Sequence, residues 1–498
     1  MDLFNNLAFG FAVAVSLQNL LYCFIGVLVG TLIGVLPGIG PLATIAMLLP
    51  ITFNVPPVAA LIMLAGIYYG AQYGGSTTAI LVNLPGETSS IVTCIDGYQM
   101  ARQGRAGPAL AIAAIGSFFA GTVGTLLIAL FGPPLAEVAL KFGAPEYFSL
   151  MLMGLVAAAV LAQGDMVKSL AMVALGLLLG IVGNDVNTGL GRFTFGVNEL
   201  TDGIGFVVVA VGVFAVGEII SNLGEKERRE VFTSKVMNLF PTWDDLKRSF
   251  GPIVRGTALG SFFGVLPGTG PAVASLSSYL VEKKIADDPS RFGHGAIEGV
   301  AGPEAANNAD AQCKFIPMLT LGLPASGVMA LMLGALTIQG IQPGPAVMTQ
   351  RPELFWGLIA SMWIGNLMLV VLNLPLVGLW VSMLKVPYRL LFPAIMAFSA
   401  IGIYSVNNSP FEIYLTALFG ILGLIWMKLG FSLAPMLLGF VLGPMLEENL
   451  RRALLMSRGN ISVFVTRPIS LAFIIATALI LVVIAAPAVR KRRHEIAD

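Results

Sequence analysis

Apolar stretches alternate along this chain with peptides rich in Gly and Pro, and two of those interruptions are nearly the same. The apolar run from Asn19 to Leu36 ends in Gly34-Val35-Leu36-Pro37-Gly38-Ile39-Gly40-Pro41, and Leu42 to Phe53 is apolar again. The octapeptide returns as Gly264-Val265-Leu266-Pro267-Gly268-Thr269-Gly270-Pro271. A helix that crosses a bilayer needs roughly 20 mostly apolar residues. Leu42 to Phe53 is too short for that, so it reads as half of a broken or re-entrant element. Non-helical backbone at bilayer depth leaves N–H and C=O groups that protein or a watered cavity must satisfy. Paired breaks in corresponding positions of two related halves point to the substrate site of a secondary transporter.

The rest of the pattern extends this reading. Val58 to Tyr69 is apolar, followed by Tyr73-Gly74-Gly75-Ser76-Thr77-Thr78 and then by a second interruption, Asn83-Leu84-Pro85-Gly86-Glu87-Thr88-Ser89-Ser90. Further helices are predicted over 109–131, 147–161, 167–182, 205–220, 328–339, 354–383, 390–405, 411–427, 432–446 and 469–489, giving about twelve spanning segments by length. Leu84-Pro85-Gly86 is answered by Leu323-Pro324-Ala325, Gly107-Pro108-Ala109 by Gly344-Pro345-Ala346, Pro134-Leu135 by Pro375-Leu376 and Asn222-Leu223 by Asn449-Leu450. These pairs, with the octapeptides, predict an all-α polytopic membrane protein of two internal repeats with broken helices. Its parts are a first repeat over 1–224, a linker over 225–255, a second repeat over 256–455, and an extra C-terminal helix with a basic tail over 456–498. The linker carries Lys226, Arg228, Arg229, Lys235, Lys247, Arg248 and Arg255 and is placed in the cytoplasm by the positive-inside rule. Charge does not decide between parallel and inverted repeats, and the inverted form is the expectation carried forward.

Composition narrows the class. Of 498 residues, 56% are hydrophobic and 11% charged, against roughly 25% charged in soluble domains. Net charge is +1, so no global field argues for nucleic acid. The first cation is Arg102, so the N-terminus lacks the basic region of a signal peptide and its apolar segments are expected to stay. Cys23, Cys94 and Cys313 have neither disulfide nor metal spacing, and His294 and His494 are too few for a histidine relay. There is no Gly-x-Ser-x-Gly elbow, His-Glu-x-x-His or P-loop, which argues against an enzyme and against ATP hydrolysis by this chain.

What the breaks suit is an anion. Glycines allow positive φ, so successive N–H groups can turn inward as a nest, and a following half-helix brings about half a positive charge to its N-terminus. Neutral donors are available near the breaks: Ser76, Thr77, Thr78, Ser89 and Ser90, with Asn307, Asn308, Ser275, Ser277, Ser278 and Ser326. Lys314 is the main cation near a break. Among rare acids, Glu304 and Asp310 flank the Asn pair and are candidates for a coupling cation or proton. Glu87 and Asp96 are candidates of the same kind, explained equally well as a helix cap and as a residue of a polar loop respectively. Close helix packing is the competing explanation for any isolated Gly or Pro.

At this point the residues resemble a known family. Gly34 to Pro41, Tyr73-Gly74-Gly75, Asn83 to Gly86, Gly264 to Gly270, Pro303 to Ala309, Pro317 to Gly322 and Leu446 to Arg452 resemble the large membrane subunit (TctA) of the tripartite tricarboxylate transporters. The resemblance implies a multi-pass protein of the bacterial inner membrane that imports a di- or tricarboxylate such as citrate. It implies a small membrane subunit and a periplasmic substrate-binding protein as partners, and an ion gradient, commonly Na⁺, as the driving force; no other cofactor is expected. Its motifs and the reasoning above give Gly38, Gly40, Ser76, Thr77, Asn83, Pro85, Ser89, Gly268, Gly270, Asn307, Asn308, Lys314, Pro324 and Ser326 as substrate-binding candidates, with Glu304 and Asp310 for the coupling ion. A stand-alone proton-coupled permease, a passive channel and a membrane-embedded lipid-modifying enzyme are the alternatives.

Overall fold

The computed structural model describes residues 3–36, 40–162, 165–185, 188–223, 239–383 and 388–485. The first part of the chain forms α1 (Leu3–Ala14), α2 (Leu17–Val35), α3 (Pro41–Leu48), α4 (Pro57–Val82), α5 (Ile91–Arg102), α6 (Ala106–Ala139), α7 (Ala144–Leu161), α8 (Met166–Gly180), α9 (Phe206–Ala210) and α10 (Gly217–Leu223). Then come α11 (Trp243–Val265), α12 (Pro271–Ile285), α13 (Glu298–Cys313), α14 (Phe315–Leu321), α15 (Gly327–Ile338), α16 (Ala346–Gln350) and α17 (Pro352–Asn373). The chain closes with α18 (Val377–Met383), α19 (Tyr388–Asn407), α20 (Pro410–Lys428), α21 (Ala434–Met456), α22 (Val463–Thr466) and α23 (Pro468–Ala485). A two-residue β-ladder, Gly183–Asn184 with Gly191–Arg192, is the sheet structure among the described residues. Five described helices, α2, α6, α7, α17 and α20, are long and apolar enough to cross a membrane by themselves. That falls short of the roughly twelve segments expected from length, because breaks shorten several helices and α11 and α13 carry many polar groups. Of the expected linker, 225–238 lies outside the described residues and 243–255 forms the first half of α11.

Close backbone contact organises the interior. Gly26, Gly30 and Gly34 of α2 lie against Met63, Ile67 and Ala71 of α4, and a Cβ added at Gly30 would sit 2.8 Å from the Ile67 Cα. Gly256, Gly260 and Gly264 of α11 lie in the same way against Gly302, Ala306 and Asp310 of α13, where a Cβ at Gly260 would meet the Ala306 carbonyl carbon at 2.8 Å. Spacing of four keeps all three glycines on one helical face. Small residues on that face let two backbones touch, as is common between membrane helices.

Both contacts run in the same chain direction, so each pair is parallel. Between two parallel helices the chain must turn back; α3 with the 3₁₀ turn Leu49–Asn54 does so in the first case and α12 in the second. Helix directions follow from further contacts. Arg105 pairs with Asp245 and Gly116 faces Ile253, so α6 and α11 start at the same end of the bundle. Trp363 Nε1 donates to the Thr122 carbonyl at 3.3 Å and Asn366 Nδ2 to that of Phe118 at 3.0 Å, so α17 runs against α6. Cys23 Sγ lies 3.7 Å from the Ser361 carbonyl and Asn373 Nδ2 3.5 Å from Thr31 Oγ1, so α2 runs with α17. The turn after α2 and the turn after α11 therefore enter the bundle from opposite ends.

Large apolar side chains such as Phe131, Leu126 and Leu130 on α6 and Ile421 on α20 are exposed, as expected of surfaces that face lipid. Overpacking a tight contact costs about 1–3 kcal/mol or more. We expect Gly260→Val to lower the thermal unfolding midpoint in detergent by several degrees, whereas Gly378→Ala, whose added carbon meets nothing within 4 Å, leaves it unchanged. Equal midpoints would mean that α11 and α13 separate without penalty.

Candidate functional site

Every residue of α13 from Gly299 to Cys313 is buried, although five of them are Glu304, Asn307, Asn308, Asp310 and Gln312. Such a helix tolerates burial because its backbone bonds are internal and Ala305, Ala306 and Ala309 allow close neighbours. The polar side chains must then be met by other elements. Ser76 Oγ, on α4, donates to Glu304 Oε2 at 2.5 Å, Thr93 on α5 donates to Oε1, and Asn307 Nδ2 approaches Oε2 at 3.4 Å. Asn308 Nδ2 donates to Ser117 Oγ on α6 at 2.7 Å and to Asn307 Oδ1 at 2.5 Å. Four sequence candidates, Ser76, Glu304, Asn307 and Asn308, are thus brought into one network.

Two further candidates satisfy each other. Lys314 pairs with Asp310 one helical turn earlier, and both side chains are fully buried. The second carboxylate oxygen of Asp310 has no protein partner. Lys314 is therefore neutralised on its own helix, which leaves the region without a free cation among the candidates.

The breaks themselves are held from several sides. In the first, Gly40 N donates to Glu218 Oε1 of α10 at 3.3 Å, while Gly38 lies outside the described residues. Asn83 ends α4 in the left-handed region at φ 55°, and Gly86, after Pro85, presses against the Gly34 carbonyl. Ser89 Oγ donates to Gln72 Oε1 at 2.8 Å and also bonds Glu87. In the second break Gly268 takes φ +84° and donates its N–H to the Ala325 carbonyl at 2.9 Å. A side chain there would collide with Ala157 and Ala158 of α7, its Cβ 2.7 Å from the Ala157 oxygen. Thr269 Oγ1 closes the end of α11 by bonding the Phe263 and Leu266 carbonyls at 2.6 and 2.8 Å. Gly270 begins α12 in open space, Pro324 is buried, and Ser326 caps α15 through the Met329 N–H at 3.4 Å. Thr77 is buried beside Ser76. The candidates thus fall into a network around Glu304, an ion pair and two braced breaks.

Sequence reasoning passed over Thr93, Gln72, Ser117 and Glu218. Glu218 had a usable signal, being an acid within an apolar run; the π-helical turn Val211–Val216 before it helps set where it points. The others look like ordinary polar residues until their neighbours are known. Asp96, for which a functional role and a place in a polar loop are equal expectations, is a fully buried member of α5. Its Oδ1 accepts from the backbone N–H groups of Gly293, Gly295 and Ala296 at 2.9, 2.7 and 2.8 Å, and its Oδ2 from Tyr279 at 2.9 Å. This is a backbone nest filled by the protein's own carboxylate. It ties α5 to the loop that opens α13. No cluster of three metal-ligating side chains occurs among the described residues.

The profile of the tripartite tricarboxylate transporter TctA family matches residues 20–438. The chain belongs to the TctA family. A protein of Agrobacterium vitis described as an uncharacterized 52.8 kDa protein in the TAR-I ttuC' 3' region is 62% identical over 497 residues, covering 100% of this chain and 99% of that one. A second, described as an uncharacterized protein in the TAR-II ttuC' 3' region of the same organism, is 59% identical over 238 residues, which is 48% of this chain and 98% of that one. No solved structure matches. Family membership makes this a multi-pass transport protein, a subunit of a tripartite transporter of carboxylates, and agrees with the reading that it is not an enzyme.

Removing the carboxylate from the nest isolates its contribution, since a buried donor left unpaired costs about 1–3 kcal/mol. Asp96→Ala strands three backbone donors and is expected to destabilise the protein by about 3 kcal/mol or more, with Tyr279→Phe costing about 1 kcal/mol. Thermal unfolding of the two variants in detergent checks the ranking; equal midpoints would remove the nest from the account.

Proposed function

We propose that this chain is the permease subunit for ion-coupled uptake of a di- or tricarboxylate such as citrate, with Na⁺ as the coupling ion. It works in the bacterial inner membrane with a small membrane subunit and a periplasmic substrate-binding protein. The observation that carries the reading is Glu218 seated on the Gly40 N–H at the start of α3. A carboxylate occupies the first break in this arrangement, and it belongs to the chain. Substrate carboxylate takes that position when Glu218 withdraws, and the partial positive charge of the α3 N-terminus favours it there.

Inverted repetition is supported by the matched glycine contacts of α2 with α4 and of α11 with α13, and by the opposite ends from which the two turns enter. Transporters of this kind bind substrate where two inverted repeats meet, at broken helices near mid-membrane. The end at which α6 and α11 begin carries Arg102, Arg105, Lys247, Arg248, Lys283 and Lys284, which favours that end, and the adjoining linker, as cytoplasmic. In this reading Gly38, Gly40, Gly268 and Gly270 contact the substrate, Asn307 and Asn308 position it, and Glu304 and Asp310 answer to the coupling ion. A multiply charged anion alone meets a large barrier in low dielectric. Cations taken up with it reduce that charge and let the loaded site cross.

The test is uptake of radiolabelled citrate and a panel of dicarboxylates into proteoliposomes containing this chain and its small subunit, with and without the binding protein, under separate Na⁺ and proton gradients. Uptake that requires both the binding protein and the Na⁺ gradient is the expected result. Uptake by the chain alone under a proton gradient would instead establish the stand-alone permease. Within that assay Glu218→Gln, which removes the competing charge, is expected to lower the half-saturating substrate concentration several-fold, with Glu218→Asp near the parent. An unchanged value would take Gly40 out of the substrate site.

A further inference from the structure

We propose that a cavity between α4, α6 and α17 is a site for a small monovalent cation of the size of Na⁺ or Li⁺, held by neutral oxygens. The cavity has a volume of about 10 Å³, and its polar lining is Tyr73, Ser76 and Thr77 of α4, Ser117 of α6 and Asn373 of α17. That is room for about one water-sized particle.

The hydrogen bonds around the cavity show which of its oxygens are free of protons. Asn373 is 6% exposed; its nitrogen donates to the Leu369 carbonyl at 2.9 Å, and its oxygen has no partner. A carbonyl can only accept, so the amide is fixed with its oxygen free. Tyr73 gives its proton to Asn366 Oδ1 at 2.6 Å, because the Asn366 nitrogen is engaged by the Phe118 carbonyl at 3.0 Å. Ser76 gives its proton to Glu304 Oε2 at 2.5 Å. Ser117 Oγ accepts from Asn308 at 2.7 Å, and its own proton, like that of Thr77, is free to rotate. Tyr73, Ser76 and Asn373 therefore present lone pairs without protons to the cavity. With the Thr77 and Ser117 hydroxyl protons turned outward, all five lining residues offer a neutral oxygen, a donor set that suits a small cation. No carboxylate lines the cavity, so the lining suits a single charge better than a divalent ion, which favours anionic ligands.

Ser76 touches both the cavity and Glu304, so bound cation and ionised carboxylate stabilise each other through one hydroxyl. Ser76 and Thr77, expected from the sequence as substrate ligands, then serve the cation. The proposal deepens the ion-coupled reading and rests on it for the cation's role in transport; binding itself is a separate matter.

Equilibrium binding of ²²Na⁺ to the purified chain in nanodiscs, at constant ionic strength made up with choline chloride, measures the site directly. We expect saturable binding that Li⁺ displaces better than K⁺, with affinity falling about tenfold or more in Asn373→Leu and clearly in the milder Ser117→Ala. If Asn373→Leu does not fold, Ser117→Ala decides. Absence of saturable binding to the parent chain, or unaltered affinity in the variants that fold, overturns the proposal and leaves a water in the cavity. The two readings fail separately. Binding that depends on Asn373 with uptake indifferent to Na⁺ keeps the site and sinks the coupling, while Na⁺-driven uptake with unaltered binding in the variants keeps the coupling and sinks the site.

Discussion

A carboxylate inside a helical bundle has to be met by hydrogen-bond donors, because a low dielectric makes an unmatched charge too costly to keep. Much of the centre of this protein is arranged around that demand. Asp96 is answered by three backbone N–H groups and a tyrosine, Glu304 by two hydroxyls and an amide, Asp310 by Lys314, and Glu218 by the first N–H of a half-helix. In the Asp96, Glu304 and Glu218 cases donors and carboxylate come from segments far apart in sequence, so each acid also fastens elements together.

Those meetings depend on how near the helices approach. Glycines at every fourth position bring α2 onto α4 and α11 onto α13 with backbone touching backbone. Beside these packed pairs, Ser76 of α4 and Thr93 of α5 reach Glu304 of α13, and neighbouring segments satisfy peptide groups that the breaks expose. Thr78, bonded to the Gly75 carbonyl at 3.0 Å, lies 3.5 Å from that of Gly34 near the first break, and Thr269 answers the end of α11 at the second. Non-helical backbone survives at depth because the neighbouring segments supply these bonds. Beside Ser76 lies a small oxygen-lined space on which the unpartnered Asn373 oxygen borders.

Much of this was legible in the chain itself. Apolar periodicity and the scarcity of charge gave the membrane class, and the duplicated octapeptide located both breaks. Glu304, Asn307 and Asn308 stood out as polar residues that an apolar surrounding would have to pay for. Lys314 was legible as a buried cation, yet its pairing with Asp310 depends on both side chains turning to one face of α13. Five described helices are long and apolar enough to cross alone and six shorter apolar ones stand beside them, and length alone cannot tell a full crossing from a half-helix that turns back.

The sequence by itself determined which segments leave water and where their helices must stop, because transfer of apolar groups and the φ/ψ limits of Gly and Pro are local properties. Only the tertiary structure decided which donor each buried acid finds. That Glu218 sits on Gly40, that Asp96 fills a nest 197 to 200 residues away, and that Asn373 keeps a bare oxygen beside Ser76 are outcomes of packing. Hydrogen bonds reach about 3 Å and require alignment. No pattern along the chain encodes a distance of that kind between segments so far apart.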